Sequence, residues 1–119
     1  MNDAEFAFGS MQRPKFIRPT PQQQKVLPLG RIVATADVLT VVPVDRITEC
    51  LVAHTCADWG CVSEADRRAN DEALRCGFRV LSAYAIDPSQ PCRGYGANTV
   101  WIITEWDRSL TTVLLPKEY

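Results

Sequence analysis

Val100-Trp101-Ile102-Ile103-Thr104-Glu105-Trp106-Asp107-Arg108-Ser109-Leu110-Thr111-Thr112-Val113-Leu114-Leu115-Pro116 decides how this chain folds. Val, Ile, Thr and Trp dominate both arms, and such side chains suit a pleated, half-buried surface. Glu105-Trp106-Asp107-Arg108 interrupts them, with Asp107 suited to a turn. The stretch therefore reads as two strands joined by a short polar turn. Both faces of the arms carry apolar residues. Something must pack on each side, or the edge must be covered.

Working outward, residues 78–86 read as a third strand, and Pro88, Pro91, Gly94 and Gly96 mark the loop that follows. Three sequential strands form a meander most simply. Before them, Ser63-Glu64-Ala65-Asp66 fits a capping pattern that starts a helix, and Gly77 suits its end. Ala65, Ala69, Ala73 and Cys76 give that helix a stripe of small residues. Residues 44–57 form an earlier helix. Pro43 suits its start, and Val44, Ile47, Leu51 and His54 repeat along one face with Cys50 beside them. Residues 30–35 read as a short strand, while residues 36–42 fit a helical turn or extended chain. The order β, α, α, β, β, β predicts an α+β domain: a small antiparallel sheet of about four strands with two main helices on one face.

Residues 1–27 read differently. Pro14, Pro19, Pro21 and Gln22-Gln23-Gln24 disfavour regular structure, so a flexible arm is expected before a single domain over 28–119. Phe6, Phe8, Phe16 and Ile17 are its apolar islands. The arm is basic: Arg13, Lys15, Arg18, Lys25 and Arg31 follow one another without an acid, whereas beyond Arg31 twelve acids face eight bases. Net charge is −1, which excludes a strong global attraction to nucleic acid.

The five cysteines are odd in number, and no apolar run of signal length or membrane length occurs. The expected setting is cytoplasmic, with reduced thiols and no membrane association. Cys50, His54, Cys56 and Cys61 lie near one another in sequence, but their spacing matches no familiar zinc module. No metal and no cofactor is expected.

Asp58-Trp59-Gly60, Asp66-Arg67-Arg68-Ala69-Asn70, Leu81-Ser82-Ala83-Tyr84, Ile103-Thr104-Glu105, Asp107-Arg108-Ser109, Thr111-Thr112-Val113-Leu114-Leu115-Pro116 and Glu118-Tyr119 occur in this order. With these motifs the chain, over roughly residues 29–119, resembles a family of small uncharacterised bacterial proteins carried on plasmids and integrated elements. The family has no established activity. The resemblance implies a mobile-element setting, which a regulatory or anti-defence role fits, and it extends to His54 but not to the cysteines. Trp106 stands where a small Ala is usual, and the loop over 87–98 is longer than the family's.

Three kinds of chemistry are open to these residues. His54 is the only histidine and titrates near neutral pH, so with Asp58, Glu105, Asp107 and Arg108 it could serve a small hydrolase or nuclease. No phosphate loop or nucleophile elbow accompanies it. Trp106, Arg108, Arg93 and Tyr95 are the rigid aromatic and guanidinium groups that anchor interfaces, and a protein partner is the leading expectation. Nucleic acid is the third, through Arg13, Lys15, Arg18 and Lys25.

Overall fold

The computed structural model describes residues 26–119. Four strands form one sheet: β1 (Arg31–Ala34), β2 (Val80–Ala85), β3 (Thr99–Thr104) and β4 (Leu110–Leu114). Their spatial order is β1-β4-β3-β2. The meander β2-β3-β4 is antiparallel, as the sequence predicts. β1 departs from the prediction, because it lies parallel to β4, with Val33 opposite Thr112. Between β1 and the meander the chain makes three helices, α1 (Ala36–Val41), α2 (Val44–Thr55) and α3 (Glu64–Cys76). No hairpin ties the direction of β1 to its neighbour, and a helical crossover permits a parallel pair. The domain is α+β with a mixed, mostly antiparallel sheet.

Local chemistry explains the helix boundaries. Thr35 resolves the ambiguity over 36–42 in favour of helix, its hydroxyl accepting from the Val38 N–H at 3.1 Å. Ser63 does the same for α3, accepting from the Asp66 N–H. α2 buries Ile47, Cys50 and His54, while Val44, expected on that face, is exposed at the first turn.

Strand alternation divides the sheet. Val100, Ile102 and Val113 face the helices and join Val38, Val42, Ile47, Cys50, Tyr84 and Leu115 in the main core. A second cluster holds Trp59, Ala73, Val80 and Leu27. Leu27 reaches it because the Val26 and Leu27 N–H groups both donate to the Thr55 carbonyl at the end of α2. These two residues end the arm expected over 1–27; its other residues, Phe6, Phe8, Phe16 and Ile17 among them, lie outside the described residues.

The outer edge of β2 is covered from two sides. Ala83 donates to the Trp59 carbonyl and accepts from the Cys61 N–H. A Cβ on Gly60 would fall 1.9 Å from the Ala83 oxygen, and its φ is +75°, so only glycine fits. Asn70 completes the edge. Its Nδ2 donates to the Leu81 carbonyl at 2.7 Å and its Oδ1 accepts from the Leu81 N–H at 3.2 Å. The side chain thus acts as one more residue of strand. This contact sets the rotation of α3: Asn70 and Ala73 are buried, whereas Ala65, Ala69 and Cys76 of the expected small stripe face solvent.

Asn70 gives a direct test. Asn70→Ala orphans a donor and an acceptor at the β2 edge and should cost about 2 kcal/mol. Asn70→Asp keeps the acceptor but sets a carboxylate against the Leu81 carbonyl, so it should be no more stable than Asn70→Ala. Urea unfolding of the three proteins measures both.

Candidate functional site

His54 is fully buried, although histidine is usually found near the surface. Its last-turn position on α2 aims the ring at the middle of the sheet. Nδ1 lies 2.6 Å from the Ser82 Oγ on β2, and Nε2 lies 2.7 Å from the Thr104 Oγ1 on β3. Thr104 lies 2.8 Å from the Thr111 Oγ1, which donates to the Leu29 carbonyl at 2.7 Å. All four side chains are buried, and Trp59 meets the imidazole edge to face at 5.7 Å.

This chain of bonds fixes its own direction. Each hydroxyl has one hydrogen. Thr111 gives its hydrogen to Leu29, so it accepts from Thr104. Thr104 then accepts from His54 Nε2–H, and Nδ1 accepts from Ser82. The imidazole is the neutral Nε2–H tautomer. Burial, and then the positive charge of Arg108, push its pKa down to about 4. Cys50 one turn earlier is also kept neutral, its thiol raised to about 11 by burial. Burial likewise raises the Tyr84 phenol, whose hydroxyl donates to the Asp58 carbonyl at 2.7 Å.

The other expected catalytic residues do not meet His54. The Asp58 carboxylate accepts from the Gly60 N–H in its own turn. Asp107 Oδ1 accepts from both the backbone N–H and the hydroxyl of Ser109. Glu105 uses its backbone, donating to the Leu110 carbonyl and accepting from the Arg108 N–H. Among the described residues, no group of three or more His, Cys, Asp or Glu side chains gathers as a metal site.

Arg108 organises the turn. Its Nη1 donates to the Phe78 carbonyl at 2.6 Å and to the Glu105 carbonyl at 3.1 Å, while Nη2 donates to the Ala73 carbonyl at 3.0 Å. A cation on the last carbonyls of α3 also complements the helix dipole. The guanidinium therefore bolts the β3–β4 turn to the end of α3. The residue holds a left-handed conformation, φ +60°, to do so. The sequence suggests a turn here but not these carbonyl partners, two of which lie 30 or more residues away.

Trp106 stands on that bolted turn with 67% of its surface exposed. Phe78, 60% exposed, is tied to the same turn, its carbonyl accepting from the Arg108 Nη1. Arg79 follows, with its guanidinium over the ring of Tyr119 at 5.5 Å and a hydrogen bond to the Tyr119 hydroxyl. Tyr119, 66% exposed, meets Trp101 edge to face. Trp101 is half-buried on the sheet face opposite the helices, its Nε1 donating to the Gly94 carbonyl. Arg93 and Tyr95 are exposed but precede β3, whereas Trp106 follows it. The length of β3 separates the two groups by about 20 Å. Trp59 is core, donating from its Nε1 to Asp71.

One chemical expectation is corrected. Cys61 and Cys92, expected as reduced thiols, are joined by a disulfide. The loop over 87–98 folds back on the segment after Trp59 and brings them together, which their separation of 31 residues does not announce. Cys50, Cys56 and Cys76 are free, the first two buried. No helix among the described residues is long and apolar enough to cross a membrane. No protein-family model, curated protein or solved structure matches the chain.

Two measurements check this geometry. The folded-state pKa of His54 lies below its unfolded value of 6.5, so acid favours the unfolded chain, which takes up the proton first. Stability should be full above about pH 7 and fall by about 3 kcal/mol as pH drops through 6.5 to 4. Urea unfolding across that window should show the slope, and His54→Gln should remove most of it. Arg108→Ala should cost about 2–3 kcal/mol by losing three bonds to carbonyls. Arg108→Gly should recover about 1 kcal/mol of that, since glycine adopts φ +60° freely.

Proposed function

We propose that this protein binds a macromolecular partner, and that its recognition surface is the β3–β4 turn that carries Trp106, with Phe78 tied to it through Arg108. One observation carries the reading: a Trp two-thirds exposed on a turn that three guanidinium bonds and the Asp107 cap hold still. A large apolar ring on a mobile loop loses entropy when it binds, while one already fixed loses little. Trp, Tyr and Arg are also the residue types that dominate binding energy at interfaces. Arg108 positions this surface with three of its five N–H donors.

The partner is a protein. Among the described residues twelve acids face nine bases, and Glu105 and Asp107 flank Trp106, a poor field for a phosphate backbone. Binding through Arg13, Lys15, Arg18 and Lys25 concerns a segment outside the described residues. An enzyme built on His54 would need a ring nitrogen that substrate can reach, and both are engaged in a fully buried ring. The family resemblance implies a mobile-element setting, and a regulatory or anti-defence role for this binding fits that setting.

The test is affinity capture from the source organism with the wild type, Trp106→Ala and Trp101→Ala. Trp106→Ala should leave unfolding within about 0.5 kcal/mol of wild type and weaken binding by about 2 kcal/mol or more. Trp101→Ala removes a half-buried ring and its bond to Gly94, and should cost about 2–3 kcal/mol of stability. Full capture by Trp106→Ala would contradict the assignment of this surface.

A further inference from the structure

We propose that Cys61 and Cys92 are a reversible dithiol–disulfide clasp, which sets the mobility of the loop apex that carries Arg93 and Tyr95. The clasp does not depend on the surface around Trp106, which lies beyond the other end of β3.

The loop over 86–98 is held at two levels. Its base is tied by Asn98, whose Nδ2 donates to the carbonyls of Asp87, Gln90 and Pro91 and whose Oδ1 accepts from the Asp87 N–H. Asp87 adds an Asx turn to Ser89. None of these bonds involves a cysteine. The apex, residues 92–97, is held by the disulfide, by the bond from Trp101 Nε1 to the Gly94 carbonyl and by the bond from Thr99 Oγ1 to the Tyr95 carbonyl. The disulfide alone joins the apex covalently to the segment that pairs with the β2 edge. Opening it leaves the base in place and leaves the apex held by those two hydrogen bonds alone.

The reduced state has hydrogen-bond partners waiting. The Cys61 Sγ lies 3.4 Å from the Ala83 carbonyl oxygen, and the Cys92 Sγ lies 3.5 Å from the Thr99 Oγ1. A pair of thiols would therefore find hydrogen-bond partners at once, without leaving orphaned groups. Both cysteines are partly exposed, so a small thiol can reach them, whereas Cys50 and Cys56 are buried. Tyr95, 63% exposed, and the exposed Arg93 are the side chains whose presentation changes. Gly96 and Ala97 of the same apex line a cavity of about 560 Å³ together with Val41, Thr99, Leu115 and Pro116.

The chemistry is thiol–disulfide exchange with a low-molecular-weight thiol such as glutathione. One thiolate attacks a sulfur of the pair, forming a mixed disulfide and releasing the other cysteine as a thiolate. A second attacks the mixed disulfide and releases the remaining cysteine. Two protons end on Cys61 and Cys92, two electrons enter the pair, and two glutathiones leave as their disulfide. Glutathione disulfide drives the reverse.

The experiment equilibrates the folded full chain in glutathione buffers of graded ratio, quenches with acid, alkylates, and maps the label by mass spectrometry. Hydrogen exchange is followed at both ends of the series. Cys61 and Cys92 should become alkylated together across the series, while the exposed Cys76 labels throughout. On reduction, amides of 92–97 should exchange about tenfold faster or more, and those of 87–91 should not change. Cys92→Ser should fold and show the same fast apex in every buffer. Three results would overturn the proposal: independent labelling of Cys61 and Cys92 under oxidising conditions, reduction only after the chain is unfolded, or unchanged exchange over 92–97 on reduction and in Cys92→Ser.

Discussion

The fold turns on one buried ring. His54 reaches from α2 to three strands of the sheet through hydroxyls: Ser82 on β2, Thr104 on β3 and, through Thr104, Thr111 on β4. The series ends on the Leu29 carbonyl, so the segment leading into β1 joins the same network. A buried polar group is costly unless satisfied, and here every member is. Purely apolar packing would let α2 slide or rotate on the sheet at small cost. Two ring nitrogens with fixed partners leave one position.

The same centre links the core to the tip. Arg108 sends its guanidinium to the end of α3 and the start of β2, and its charge helps keep His54 neutral. Thr104, which binds His54, ends β3, and the turn with Arg108 begins at the next residue. The rigidity of the turn is thus an extension of the core's polar network. The binding role proposed for the exposed Trp106 rests on that rigidity.

Much of this architecture is legible in the chain. Runs of Val, Ile and Thr mark β3 and β4, and the polar run between them marks the turn. Ser63 announces the start of α3 because its hydroxyl acts three residues away. Interactions at that range leave a local signature. The parallel pairing of β1, the Asn70 bracket on Leu81, the Cys61–Cys92 bond and the grip of Arg108 on Ala73 span 11 to about 80 residues, and no local pattern encodes them. His54 shows both sides of the limit. Helical spacing places it on the inner face of α2, but the hydroxyls that neutralise its cost lie 28 and 50 residues further on. A lone histidine therefore reads equally well as a catalyst until Ser82 and Thr104 are seen beside it.

The most direct measurement of this account is the nitrogen NMR spectrum of the His54 ring, recorded on the folded protein from pH 8 down toward 4. A protonated Nε2 and a bare, hydrogen-bond-accepting Nδ1 should persist, with no titration until pH approaches about 4. Titration of both nitrogens with a midpoint near 6.5, while the chain stays folded, would show a ring open to water and contradict the account.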